Sequence, residues 1–367
     1  MDHQPAILTL NDLDREKIRS SLAPIDYDAA GGADYITELR RQVYTSFPDS
    51  LLKAIERLKA ASLSYFVIDN LPIDHRVYGS PWFSETGRSF KSGVLSENEL
   101  VAIGAALGEP YSIAHEGTEL VNNLTPHREA ANAYTGLGSE VELDFHTENA
   151  AQTYRPQGDT APQALMLLGL RSDPDRPGPK TRVADAREAI NLLSDADIEQ
   201  LRGKHFIIRV PHRWRGKEGS HRETLLSPII SGPLNKPRIT VAFYPDMVIA
   251  ADPESKAALE NLHRAVRAVS LGIDVRPGRL LYINNKFALH SRDKFTATFD
   301  ENGRAYRWIQ RLSIADSLWN FRTFRQLNER VFDPSGEAST ASSRWKSYRS
   351  SANERAVSDE AELVEMF

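Results

Sequence analysis

The sequence predicts a mainly β fold with flanking helices, built on a jelly-roll or double-stranded β-helix core. Three observations predict it. Strand-like runs are short and numerous, as in RITVAFY (238–244) and RLLYIN (279–284). Helical runs gather in the first third and between the later strands. Strands and helices do not alternate, as they would in a parallel α/β fold.

Residues 1 to about 62 read as helical. DSLLKAIERLKAAS opens at a candidate N-cap, Asp49, and carries Leu51, Leu52, Ile55 and Leu58 at helical spacing, one apolar stripe to lay on a sheet. SYFVIDNLP (64–72) reads as a strand ended by proline, and residues 73 to 95 as a loop rich in Gly, Ser and aromatics. Ser96 and Glu99 have capping-box spacing at the head of LSENELVAIGAALG, which Gly108 stops. QALMLLGLR (163–171) is apolar throughout and reads as a buried strand; TRVAD (181–185) is a short one. Ser194 caps a helix ending at Gly203, followed by strands in HFIIRVP, TLLSPII and RITVAFY. Asp252 and Pro253 start a helix that runs to Gly272, and RLLYIN and YRWIQRLSIAD (306–316) are strands. We expect a single domain over 1–334 and a polar tail over 335–367 in which AELVEMF forms a closing helix.

At 367 residues the chain can bury a large core, and 41% apolar with 26% charged residues are globular values. No apolar run reaches membrane-spanning length, and the N-terminus lacks a basic-then-apolar leader, so a cytoplasmic protein without membrane association is expected. The absence of cysteine removes disulfides, thiolate metal sites and cysteine nucleophiles, which confines any metal site to His, Asp and Glu. A net charge of −5 argues against a nucleic-acid partner; the locally basic run 209–223 reads as a solvated loop.

The chemistry concentrates in VELDFHTENA (141–150). Val141, Leu143 and Phe145 alternate with Glu142, Asp144, His146 and Glu148, a half-buried strand that puts His146 and Glu148 on one face. Residues two apart on a strand lie roughly 7 Å apart at Cα, within reach of one ion at about 2.1 Å. His290, in FALHSRDKF, offers a third ligand, and two His with one carboxylate form the facial triad of non-haem Fe(II) oxygenases. With 10 His and 50 acidic residues, about one or two His-x-acid pairs arise by chance. Two others occur, at His127 and His221, both in irregular polar segments and neither read as a metal site. What distinguishes His146 is the later stretch YRWIQRL, which places Arg307 and Arg311 on the same strand face. Two inward guanidiniums need either internal carboxylates or carboxylated ligands gripped bidentately.

With those residues in view the chain resembles the clavaminate synthase-like group of Fe(II)/2-oxoglutarate oxygenases, especially its free-amino-acid hydroxylases. The resemblance runs from about Tyr65 to Leu318, through LVNNLTP (120–126), ELDFHTEN (142–149), LGLRSDP with TRVAD (168–185), FYPDM (243–247) and PGRLLYINNKFALHSRDKF leading to RWIQR (277–311). It implies that His146, Glu148 and His290 hold iron, that Arg307 binds the distal carboxylate of 2-oxoglutarate, and that Thr181 contacts this co-substrate. It further implies that Arg311 takes the α-carboxylate of an amino-acid substrate, that Asn122 contacts the substrate, and that Asp246 reads its side chain. The reaction implied consumes O₂ and 2-oxoglutarate, hydroxylates C3 or C4 of free lysine or arginine, and releases succinate and CO₂. The chain departs from the group's pattern at AAQTYRP (150–156), at Arg279 in the Pro-Gly turn, and at the pair Asn284-Asn285.

Other readings stay open at this stage. A zinc hydrolase uses similar ligands but gives Arg307 no role and lacks an H-E-x-x-H motif. A metal-binding barrel without turnover, an oxygenase of a carrier-tethered residue, and the same chemistry on citrulline or asparagine are the others. The sequence does not define an oligomeric state.

Overall fold

The computed structural model describes residues 6–60, 63–82, 85–156, 158–215 and 222–336. Within these, two sheets face each other and helices cover both outer faces. In chain order, strand β1 (Ile7–Thr9) precedes helices α1 (Asp12–Leu22), α2 (Ala33–Ser46) and α3 (Asp49–Lys59). Strand β2 (Tyr65–Asp69) leads to helix α4 (Leu95–Leu107), then strands β3 (Glu109–Ile113), β4 (Asn122–Leu124), β5 (Leu143–His146), β6 (Ala164–Arg171) and β7 (Thr181–Asp185). Helices α5 (Ala186–Ile190) and α6 (Asp195–Arg202) follow, with short strands β8 (Phe206–Ile208), β9 (Ile230–Ser231), β10 (Arg238–Ile239) and β11 (Val248–Ala250) before helix α7 (Pro253–Val269). The chain closes through β12 (Leu271–Ile273), β13 (Leu280–Asn284), β14 (Ala288–Arg292), β15 (Trp308–Ala315), β16 (Arg325–Gln326) and β17 (Val331–Asp333).

The large sheet has nine strands in the order β1-β2-β13-β6-β15-β3-β17-β16, with β4 added onto β15; the small one runs β12-β7-β14-β5. Pairing is antiparallel except where β1 meets β2 and β17 meets β3. Strand alternation sorts the core. From β6, Leu165 and Leu167 face inward with Ile309, Leu281 and Val183. Met166 and Leu168 of the same strand face outward against α1 to α4. Burial on both faces explains why this strand is apolar throughout rather than alternating. Behind the small sheet, Phe145 and Leu289 pack with Leu262 and Val266 of α7.

Several predicted boundaries hold. Helix α6 carries a full capping box between Ser194 and Asp197, and Asp252 caps α7 by accepting from the Ser255 N–H. Others need correction. Helix α7 ends at Val269 rather than Gly272, because the chain turns extended at Ser270 and pairs Leu271 to Ile273 with β7. The N-cap of α3 is Pro48, one residue before the predicted Asp49. TLLSPII contributes only Ile230 to a strand and RITVAFY only Arg238 and Ile239, and β1, β3, β4, β11, β12, β14, β16 and β17 were not read from the sequence. The predicted AELVEMF helix lies outside the described residues.

The capping box at Ser96 and Glu99 does not form. Asp74 caps α4 instead, accepting from the Leu95 N–H at 3.0 Å and the Ser96 hydroxyl at 3.1 Å. Lys91 bridges Asp74 at 2.8 Å and Glu97 at 2.5 Å, and Glu97 accepts from the Gln310 amide of β15 at 2.8 Å, so a buried ionic chain ties the helical layer to the large sheet. Glu99 points elsewhere into the core and neither carboxyl oxygen has a hydrogen-bond partner. Burial, aided by Asp74, raises its pKa well above the ordinary carboxylate range. An acid whose folded pKa lies above its unfolded value is protonated in the folded state while the unfolded chain ionises, so this group makes stability fall as pH rises past about 4.3. Glu99→Gln is therefore expected to flatten the decline of Tm between mildly acidic and alkaline pH, as read by thermal melts. An unchanged slope would show that Glu99 is not the group responsible.

Candidate active site

The site lies between the sheets, with one half contributed by each. His146 ends β5 and His290 sits in β14, and antiparallel pairing sets them directly opposite each other. Their rings stand 4.2 Å apart between centroids. The Nδ1 of His146 lies 2.8 Å from the Asp144 carbonyl, which fixes that nitrogen as the donor and leaves Nε2 free to accept a metal. Burial, with His290 adding repulsion, pulls the His146 pKa down to about 3, so the ring is neutral in the physiological range.

Glu148 completes the set, but not as the sequence pattern implied. Strand β5 stops at His146, and Glu148 lies two residues beyond it, before Asn149 turns left-handed with φ 53°. Its Oε2 is 3.9 Å from His146 Nε2 and 3.6 Å from His290 Nε2. Ligand atoms about 2.1 Å from one ion can be at most about 4.2 Å apart, so this donor set fits a single metal. Among the described residues it is the one cluster of three His, Cys, Asp or Glu with such spacing. His127 stays apart, half-buried near Thr125 at 3.4 Å, and His221 lies outside the described residues.

The large sheet supplies cations. Arg307 and Arg311 project into the same cleft, as strand alternation predicted, while Trp308 and Gln310 face the helices. The two arginines differ in partners. Arg311 is buried and pairs with Glu148 Oε1 at 3.2 Å and Glu116 Oε2 at 2.7 Å; Asn122 accepts from it at 3.4 Å. Burial pushes the Glu148 carboxyl up, yet Arg311, then the two histidines, outweigh this and hold it well below the usual carboxylate range.

Arg307 has no carboxylate partner among the described residues. Its guanidinium faces the Phe295 ring at 5.6 Å, and burial together with the neighbouring Arg292 pushes its pKa down to about 9. Arg292 shares that ring at 5.3 Å and donates only to backbone carbonyls, including Val141 at 3.1 Å. At this end of the cleft the three guanidiniums of Arg292, Arg307 and Arg311 outnumber the carboxylates Glu116 and Glu148. A desolvated, unpaired guanidinium is costly, so the position is built for an anionic ligand. Thr181, first residue of β7, lines the same end and is buried.

Asp246 is placed differently from the other site residues read in the sequence. It does not line the cleft; its side chain is 52% exposed, on a backbone of φ 65°, and its carboxylate is held by Arg209 and by Arg215 at 2.7 Å. What does line the far wall is aromatic: Tyr244 stands edge-on to His146 at 5.4 Å and is stacked by Tyr134 at 6.2 Å. Sequence reasoning missed these tyrosines, Glu116 and Arg292. Arg292 had a signal, lying two residues from His290 on the same strand; Glu116 had only its place in a turn four residues before LVNNLTP, which shows no periodicity that would aim it at the site.

Two facing sheets with a buried His-Glu-His set and an unpaired guanidinium beside it define a non-haem iron oxygenase of the 2-oxoglutarate-dependent kind. The chain belongs to the taurine catabolism dioxygenase TauD, TfdA family, whose model matches residues 88–313. L-asparagine oxygenase of Streptomyces coelicolor is 25% identical over 327 residues, covering 87% of this chain and 92% of that protein. L-lysine 3-hydroxylase of Catenulispora acidiphila is 30% identical over 184 residues, 48% of each chain. A structure of asparagine oxygenase with Fe(II), 3-hydroxyasparagine and succinate superposes with a TM-score of 0.77 at 23% identity, covering 89% of this chain and 99% of that one. A structure of the non-heme iron oxygenase OrfP with Fe and alpha-ketoglutaric acid superposes with a TM-score of 0.73 at 23% identity, and His146, Glu148 and His290 here are spaced to hold one such ion. No helix among the described residues is long and apolar enough to cross a membrane.

Proposed function

We propose that the enzyme hydroxylates an unactivated C–H bond, at C3 or C4, of a free basic L-amino acid, lysine or arginine, and releases succinate and CO₂. The observation that carries the reading is the division of labour between two arginines four residues apart, Arg307 just before β15 and without a carboxylate partner among the described residues, and Arg311 within β15 beside the metal ligand Glu148. The iron and 2-oxoglutarate, when bound, supply the oxidising power. The chain's own residues supply position and charge. His146, Glu148 and His290 hold the metal. Arg307, backed by Arg292 and beside Thr181, takes the distal carboxylate of 2-oxoglutarate. Arg311, oriented by Asn122, takes the substrate α-carboxylate, for which it must share the guanidinium it gives to Glu116. Asp246, outside the cleft lining and held by Arg209 and Arg215, reads the substrate side chain by exchanging one of these arginines for it. The facing sheets are the double-stranded β-helix of a single domain over 1–334, followed by the polar tail 335–367.

A basic substrate is supported by the L-lysine 3-hydroxylase and by enduracididine β-hydroxylase of Streptomyces hygroscopicus, 25% identical over 323 residues. One observation favours a neutral substrate such as asparagine or citrulline: Asp246 already carries two arginines, so a substrate ammonium would have to displace one of them. The test is succinate release with Fe(II), 2-oxoglutarate and air, screened over free amino acids. Asp246→Asn should cut lysine or arginine turnover by an order of magnitude or more while sparing citrulline and glutamine. Wild-type preference for neutral amino acids would remove the basic reading and leave the oxygenase; release with no amino acid tested would remove the free-amino-acid reading itself.

A further inference from the structure

We propose that Asn285 is the positioning residue for the metal-binding carboxylate, and that it acts on the backbone of Glu148 rather than on its side chain. The inference rests on the assignment of Glu148 as a metal ligand. Glu148 lies outside every strand, so no ladder fixes it. On one side Thr147 is clipped to Val241, donating its N–H to that residue's carbonyl at 2.9 Å. On the other, Asn149 has left the extended region altogether. What holds residue 148 between them is one buried amide.

Asn285 Oδ1 accepts from the Glu148 N–H at 2.7 Å, and its Nδ2 donates to the Glu148 carbonyl at 3.1 Å. That exchange of two bonds with a single residue is what a neighbouring strand provides in an antiparallel hydrogen-bonded pair. The second Nδ2 hydrogen goes to the Pro162 carbonyl at 2.9 Å, and the Asn285 N–H goes to the Gln163 carbonyl at 2.9 Å. The amide thereby pins the Glu148 turn to the entrance of β6. Asn285 also follows β13 directly and lies five residues before His290, so one short segment sets both the carboxylate and the facing histidine.

Few side chains could do this. The task needs one acceptor and two donors on a short stem; aspartate keeps the acceptor and loses both donors, and alanine loses all three. The freed N–H and carbonyl of Glu148 would be buried without partners, and the turn would shift to recover them. A shift of the backbone moves the carboxylate relative to the two imidazoles, which stay on their strands.

The test is an anaerobic Fe(II) titration of the full chain as wild type, Asn285→Asp, Asn285→Ala and Asn284→Ala, with thermal melts alongside. Asn284 is an equally buried neighbour whose side chain accepts from the Lys286 N–H at 3.1 Å and touches nothing at Glu148. Both Asn285 variants should bind Fe(II) about 10- to 100-fold more weakly, the usual loss on removing a partner that orients a ligand. The KM for 2-oxoglutarate, set by Arg307, should change little. Product formed per succinate released should fall. Asn284→Ala should lower Tm without weakening Fe(II) binding. Asn285 variants with lowered Tm but wild-type Fe(II) affinity overturn the proposal, as does equal weakening in Asn284→Ala or failure of both Asn285 variants to fold. A wild-type chain that binds no Fe(II) would instead overturn the metal assignment.

Discussion

Replacing His146 or Glu148 by alanine is expected to abolish turnover and weaken Fe(II) binding while the protein stays folded. Each side chain reaches the metal position from a backbone fixed by other bonds: His146 lies in the β5 to β14 ladder, and Glu148 in the clasp of Asn285. Losing a ligand leaves two of three, and the effect should exceed the roughly 10- to 100-fold loss that follows removal of a mere orienting partner. Arg311 keeps Glu116 when Glu148 is removed, so no buried charge is orphaned. Succinate release measured against Fe(II) concentration, with circular dichroism as the check on folding, decides the matter. Full hydroxylation by His146→Ala with ordinary iron dependence would sink the assignment. His127→Ala serves as the control and should bind metal normally.

The two arginines should fail in opposite ways. Arg307→Ala removes the only charged contact proposed for the distal carboxylate of 2-oxoglutarate, and a buried charged pair that loses one partner costs about 2–5 kcal/mol, or roughly 30- to 4,000-fold in apparent KM. Without co-substrate the same variant should melt no lower than wild type, since the guanidinium it removes has no carboxylate partner in the described fold. Arg311→Ala should weaken amino-acid binding chiefly. It should also destabilise the metal-free protein by about 3–5 kcal/mol, because Glu148 and Glu116 would be left without the cation between them. Steady-state kinetics with each substrate varied in turn, and melts with and without 2-oxoglutarate, separate the two. Identical kinetic defects would show that their roles are wrongly divided.

Much of the site was legible because it is written in strand periodicity. Arg307 and Arg311 share a face by period two, and that face is the one that meets the cleft. The triad was legible from residue type, with no cysteine to compete. The fold was legible where local rules decide: β7 and α6 fall where their short-range signals put them. What was not legible depends on partners distant in sequence. Asp74 outcompetes Ser96 and Glu99 for the head of α4 from more than twenty residues away, and Glu99 is then left bare in the core. The apparent alternation through Glu148 suggested a strand, but the chain leaves the ladder after His146 and an amide 137 positions later takes over. Asp246 looked like a free acid because nothing local reveals Arg209 and Arg215 folding onto it.

The ionic chain from Asp74 through Lys91 and Glu97 to Gln310 bears on how this catalyst can be trimmed or transplanted. Gln310 lies on β15 between Ile309 and Arg311, one residue from the arginine assigned to the substrate. The helical layer is thus the floor under the strand that carries Arg311 and that Arg307 leads into. A shortened version beginning after α4 would keep every side chain that lines the cleft, yet would bare Trp308, Leu312 and the Gln310 amide to water. A graft of the pocket onto another scaffold faces the same demand: β15 must travel with the segment from Asp74 to Glu97, or Arg311 and the adjoining Arg307 arrive without a fixed direction.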